Sequence, residues 1–125
     1  MAERGGGKIV NIGSLTTSYG LGRLAVYGLT KSAIAQMTRT MAVEWAPQNV
    51  QVNCICPGWI RTALNKALWE DEHTHDWILE RVPAKRPGRP ADLVGLAIYL
   101  SAGASDFTTG QTFYVDGGFT AGGQW

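Results

Sequence analysis

The sequence predicts an α/β fold built on about three parallel strands with flanking helices. Three observations carry that expectation. Strand-like and helix-like stretches alternate as strand, helix, strand, short helices, helix, strand. The runs Lys8 to Gly13 and Val50 to Cys56 are too continuously apolar for half-exposed strands, and suit parallel strands covered on both faces. Between them lies one long helical pattern from Ala25 to Trp45, the crossover that parallel neighbours require. Right-handed crossovers are expected throughout. The length of 125 residues is one domain's worth of chain, and 45% hydrophobic with 17% charged residues is a globular composition.

The first strand, Lys8 to Gly13, is approached through Gly5 to Gly7. A triple glycine invites a phosphate-loop reading, but a dinucleotide loop follows a strand and opens a helix, and here the order is reversed. The strand delivers Ser14. Residues Leu15 to Leu24 are rich in Thr, Ser and Gly and read as a loop at the strand's carboxyl end, where open parallel sheets bind ligands. Tyr19 and Leu21 are candidates for lining a substrate pocket there, and loop packing accounts for them equally well.

In the Ala25 to Trp45 helix, Leu29, Ala33, Met37 and Met41 recur at four-residue steps as one apolar stripe. Ile34, Ala35, Ala42 and Trp45 form a second, and Pro47 stops the helix. Two stripes exceed what one sheet face needs, so a second helix is expected against the outer one; the alternative is that it covers intramolecular core. Near the helix start, Tyr27 and Lys31 stand four residues apart, which places phenol and ammonium on one face about one turn apart. A cation that close favours the phenolate. A Tyr and a Lys at this spacing also form an ordinary surface pair. The apolar strand that delivers Ser14, and the helix that carries the pair, raise the chemical reading beside it: Tyr27 as proton donor or acceptor, Lys31 tuning it, Ser14 orienting the reacting oxygen.

Val50, Val52, Cys54 and Cys56 share one face of the second strand. Neighbours two apart on one strand face do not readily bridge, so the cysteines are expected reduced and buried, as suits a cytoplasmic protein. No second Cys/His pair stands at ligand spacing, so no metal is expected. Pro57-Gly58 breaks the strand, and a glycine there leaves room for a flat ring to approach the backbone. Ala63 to Trp69 and His75 to Arg81 read as short helices joined by Glu70-Asp71-Glu72 and His73. The acidic run and the two histidines read as solvated surface. Pro90 opens the next helix, with Asp92 near its positive end and Leu93, Leu96, Ala97 and Leu100 on one side. Thr112 to Val115 is the last strand, ended by the tight reversal Asp116-Gly117-Gly118.

A formal charge of +1 gives no reason to propose nucleic acid or an acidic membrane surface as partner. No apolar run approaches the ~20 residues of a membrane span, and no signal peptide precedes the first strand.

Ile9-Val-Asn-Ile-Gly-Ser14, Tyr27-Gly-Leu-Thr-Lys31, Val52-Asn-Cys-Ile-Cys-Pro-Gly58 and Tyr114-Val-Asp-Gly-Gly118 resemble, in order and spacing, the short-chain dehydrogenase/reductase family. The resemblance spans nearly the whole chain but only the C-terminal half of the family's domain, a Rossmann-like doubly wound parallel sheet. The family's glycine-rich dinucleotide turn, its Asn-Asn-Ala-Gly segment and the asparagine of its catalytic set have no counterpart here, so the chain reads as a family member beginning at an internal methionine.

The resemblance implies an oxidoreductase passing a hydride between NAD or NADP and a small alcohol or ketone. Ser14, Tyr27 and Lys31 would be catalytic, and Lys31 with Tyr27 would also meet the nicotinamide ribose. Pro57, Gly58, Ile60 and Thr62 would receive the nicotinamide. Ser14, Tyr19 and Trp59 would touch substrate, and residues 63–89 would cover it. Arg81 through Gly118 most resembles members acting on sugar acids or polyols, and nearly as closely 3-oxoacyl-carrier-protein reductases. A homo-oligomer, dimer or tetramer, or association with a complementary half, is implied as well. The alternative is a catalytically silent fragment that serves as an interaction module.

Overall fold

The computed structural model describes residues 1–122. Three strands, β1 (Gly7–Ile12), β2 (Val50–Pro57) and β3 (Thr112–Val115), form one parallel sheet in the order β1-β2-β3. Register runs from Gly7 opposite Val50 to Ile12 opposite Ile55, and from Cys54 opposite Thr112 to Pro57 opposite Val115. The carboxyl ends of all three strands therefore lie side by side.

Helix α1 (Ala25–Trp45) has the bounds its periodicity predicts. Asn11 donates from its side chain to Thr38 Oγ1 at 2.9 Å, tying α1 to one face of β1. On that side Ala42, Val50 and Val52 form a core with Ile9 and Met41. Lys8 lies an odd number of residues from Asn11, so its side chain leaves by the other face. It meets Asp106, just past α4 (Ala91–Ser101), at 2.6 Å. Helices thus cover both faces, as the apolar strands require.

This arrangement corrects one expectation. The two crossovers step across the sheet in the same direction but on opposite faces, so they have opposite hands and cannot both be right-handed. The handedness rule describes a strand feeding a helix directly. Here residues 58–90 intervene between β2 and α4 and carry the chain around the sheet's end. A second correction concerns α1. Ala35, Thr38 and Ala42 are its buried residues, whereas Leu29 is 70% exposed and Met37 46%. Among the described residues no helix covers that outer stripe, and only its last member, Met41, packs against the core.

Residues 58–90 fold into two further helices. A 3-10 turn (Ala63–Asn65) leads into α2 (Lys66–Glu70), and α3 (Glu72–Arg81) follows at once, because Asp71 caps it by accepting from Thr74 N–H at 2.8 Å. His73, expected in the connection between the two helices, therefore rides on α3 with His75. Trp69, Ile78 and Val82 from this region join Leu15 and Phe119 in a second core. That core holds α2 and α3 over the carboxyl end of the sheet. No helix among the described residues is long and apolar enough to cross a membrane.

Candidate active site at the carboxyl end of the sheet

Ser14 follows β1 with an extended backbone, φ −163° and ψ 163°. It caps a 3-10 turn (Leu15–Thr17), and its Oγ accepts from Thr16 N–H at 3.2 Å. The serine is 8% exposed. Because its oxygen accepts, its hydroxyl hydrogen remains free to donate outward. The turn is fastened to α1: Thr17 Oγ1 donates to the Lys31 carbonyl at 3.3 Å, and Ser32 Oγ donates to the Thr17 carbonyl at 3.2 Å. The helix start touches the turn: a Cβ on Gly28 would lie 3.7 Å from the Thr16 carbonyl oxygen, an ordinary van der Waals contact.

Tyr27 lies in the first turn of α1 with 46% of its surface exposed. Lys31 Nζ stands 5.8 Å from the centre of its ring. The same ammonium donates to the Ile12 carbonyl, the last of β1, at 3.0 Å. One of its three N–H groups is thus spent on positioning, and two are left for a ligand. Strand, turn and helix together place Ser14, Tyr27 and Lys31 around the end of β1. Among the described residues no hydrogen bond joins Ser14 to Tyr27, which leaves both hydroxyls available to a third group.

The segment after β2 borders this cluster. A Cβ on Gly58 would fall 2.6 Å from both Cα and Cβ of Asp116, so the space that glycine leaves is filled by the turn after β3. Glycine at this position is needed for that packing, a reason for it that the sequence did not suggest. The Ile60 N–H bonds the Gly58 carbonyl at 2.9 Å and the Arg61 N–H bonds the Gly88 carbonyl at 2.8 Å. Thr62 directs both its N–H, at 2.8 Å, and its hydroxyl, at 3.1 Å, to Asn65 Oδ1. The Thr62 hydroxyl oxygen, which also accepts from the Asn65 N–H, keeps one lone pair to accept from an amide such as a carboxamide.

Several residues that sequence reasoning passed over do structural work here. Asn65 Oδ1 also accepts from Trp69 Nε1 at 2.9 Å, and its amide donates to the Ile60 carbonyl at 2.7 Å. It thereby locks α2 to the loop after β2. Phe119 packs edge-on against Tyr19, with ring centres 4.9 Å apart, and against Trp59 at 6.1 Å. This brings Tyr19 and Trp59 to one aromatic wall. Gly13 is tight, since a Cβ there would meet Cys56 Sγ at 2.5 Å and Cys54 Sγ at 3.0 Å. A glycine between an apolar strand and a serine was the only available hint of that contact.

Cys54 and Cys56 are free, buried thiols whose sulfurs lie 3.8 Å apart. The thiol of Cys54 is pushed well above its usual range by its contact with Cys56 and by burial. His75 Nδ1 meets Asp76 at 3.1 Å. Among the described residues no three His, Cys, Asp or Glu side chains gather as a metal site.

A family model described as Enoyl-(Acyl carrier protein) reductase matches residues 1–120. The chain is 45% identical over 118 residues to the 5-keto-D-gluconate 5-reductase of Escherichia coli (strain K12), covering 94% of this chain and 46% of that protein. It is 42% identical over 120 residues to the gluconate 5-dehydrogenase of Gluconobacter oxydans (strain 621H), covering 96% and 47%. Among solved structures, a gluconate 5-dehydrogenase from Burkholderia cenocepacia J2315 in complex with NADP and tartrate superposes with a TM-score of 0.94. Its identity is 42%, over 97% of this chain and 48% of that one. The chain spans about half the length of the curated relatives it matches.

Proposed function

The chain belongs to the short-chain dehydrogenase/reductase family, and from that premise we propose that it takes part in NAD(P)-dependent interconversion of a sugar acid's alcohol and its carbonyl. The observation that carries this reading is Lys31, tied to the last carbonyl of β1 and standing beside the Tyr27 ring, at the end of the strand that leads into Ser14. The names of the relatives, a 5-keto-D-gluconate 5-reductase and gluconate 5-dehydrogenases, support a sugar acid over a 3-oxoacyl substrate. They also weigh against a silent interaction module.

In the reducing direction the Tyr27 hydroxyl gives its proton to the carbonyl oxygen. The Ser14 hydroxyl donates a hydrogen bond to the same oxygen and fixes its place. The Lys31 ammonium, held by the Ile12 carbonyl, stabilises the negative charge left on the phenol oxygen. NAD(P)H, when bound, supplies the hydride that the carbonyl carbon accepts. Its nicotinamide half fits the groups present: two free N–H donors on Lys31 for ribose hydroxyls, and the Thr62 oxygen for the carboxamide, beside Pro57, Gly58 and Ile60. Tyr19 and Trp59 wall the substrate, and residues 63–89 cover it and exclude water. The exposed outer face of α1 suits a homo-oligomer.

The test uses 5-keto-D-gluconate with NADPH or NADH carrying two deuterons at nicotinamide C4. The product is expected to hold one deuteron on the former carbonyl carbon. Absence of the label from a reduced product, or no reduction with either nucleotide, contradicts the reading.

A further inference from the structure

The proposed substrate class carries a carboxylate, and a cavity that includes none of Ser14, Tyr27 and Lys31 is lined by two cations. A cavity of about 320 Å³ opens beside α3, lined by Tyr19, Arg81, Pro83, Lys85 and Phe119 among others. One wall is aromatic: Tyr19 and Phe119 meet edge-on, and Phe119 continues into Trp59. Two cations also line the cavity. The Arg81 guanidinium lies 4.2 Å from the centre of the Trp77 ring, and one N–H donates to the Trp77 carbonyl at 3.3 Å. Lys85 Nζ donates to the Glu80 carbonyl at 2.9 Å.

These bonds seat the cations without using them up. Lys85 keeps two N–H groups and Arg81 four. Among the described residues the one carboxylate of the cavity, Glu80, is 78% exposed and stands 3.9 Å from Arg81, too open to neutralise the pair. Tyr19 belongs to the loop whose first turn Ser14 caps, and its N–H bonds the Leu15 carbonyl at 3.0 Å. The cavity is thus joined by one short stretch of chain to the proposed reacting centre.

We infer that Arg81 and Lys85 determine specificity by binding the substrate's carboxylate, while Tyr19 and Phe119 take the C–H face of its polyol chain. The inference rests on the proposed function for its substrate class, and deepens it by separating acids from neutral polyols. A guanidinium and an ammonium give charge-assisted hydrogen bonds to a carboxylate. Aromatic faces give the apolar contact that a polyol backbone offers.

The test needs no cofactor and no turnover. The 15N-labelled 125-residue chain is titrated, at constant ionic strength, with sodium D-gluconate and with the uncharged D-glucitol. Gluconate is expected to move the amide signals of Tyr19, Arg81, Lys85 and Phe119 at a concentration about tenfold below that needed for glucitol, as one charge-assisted hydrogen bond supplies. Arg81→Gln with Lys85→Gln should bring gluconate down to the glucitol level and leave glucitol unchanged. Arg81→Lys should retain the preference. Equal affinity for the two ligands, no binding of gluconate, or an unchanged preference in the double variant overturns the inference. A failure of deuteride transfer bears on the reaction alone, and a failure of this titration bears on carboxylate binding alone.

Discussion

Tyr27 and Lys31 meet because α1 is regular through its first two turns, and Lys31 stays there because the last carbonyl of β1 holds it. A side chain with that many rotamers would otherwise sample wide space. Lys31→Met removes both the cation beside Tyr27 and the bond to Ile12. Turnover of 5-keto-D-gluconate is expected to fall about 10–100-fold, the worth of a hydrogen bond to a charged group, while circular dichroism stays unchanged; full turnover would contradict the role. Asn65 is the comparable residue on the other side of the site. Its truncation to Ala leaves the Trp69 N–H and the Ile60 carbonyl without partners, at about 1–3 kcal/mol for groups buried without a hydrogen bond. Denaturant melting reads that loss, and a variant as stable as the wild type would show that water replaces the amide. Tyr27 and Lys31 were legible because four residues on a helix have one geometry. Asn65 and Phe119 were not, since their partners are brought by chain folding and no local pattern records them.

At the scale of elements, the tightest junction is Gly13 against the sulfurs of β2. Gly13→Ala is expected to cost about 1–3 kcal/mol by overpacking. Shortening Cys56 to Ala in the same chain should return part of it, since neighbours in contact are not additive. Thermal melting of the single and double variants decides; an equal loss in both would place the strain elsewhere. The start of α4 offers a pH test. The Arg86 guanidinium, 2.7 Å away, and the Arg89 N–H, at 2.8 Å, hold the Asp92 carboxyl down at about 2. A carboxyl depressed in the folded state contributes stability that is present above its ordinary value of 3.8 and lost as pH falls from there through about 2. NMR titration of Arg86→Gln should find the Asp92 midpoint moved up toward 3.8, and an unmoved midpoint would contradict the pairing. The bounds of α1 and β3 were legible in the sequence because a 3.6-residue period and a terminating Pro or Gly define them. Which apolar stripe of α1 met the sheet was not, because both stripes are equally apolar. The opposite hands of the two crossovers escaped for a similar reason: residues 58–90 route the chain by packing, which composition does not encode.

For the molecule as a whole, β1 is an edge strand with one side unpaired among the described residues, and the outer face of α1 is apolar and open, with Val26 76% and Val43 79% exposed. Unpaired edges and contiguous apolar patches drive association. Size-exclusion chromatography is expected to find a dimer or larger species. A monomer that binds no hydrophobic dye would contradict this. The central claim is narrower, namely that the phenol of Tyr27 is the proton donor. Its most direct measurement is kcat of Tyr27→Phe with 5-keto-D-gluconate and NADPH, against a wild type of equal circular dichroism. Loss of general acid catalysis predicts a fall of about 10²–10⁴-fold. A variant that turns over within a factor of about two of the wild type, far inside that range, would contradict it.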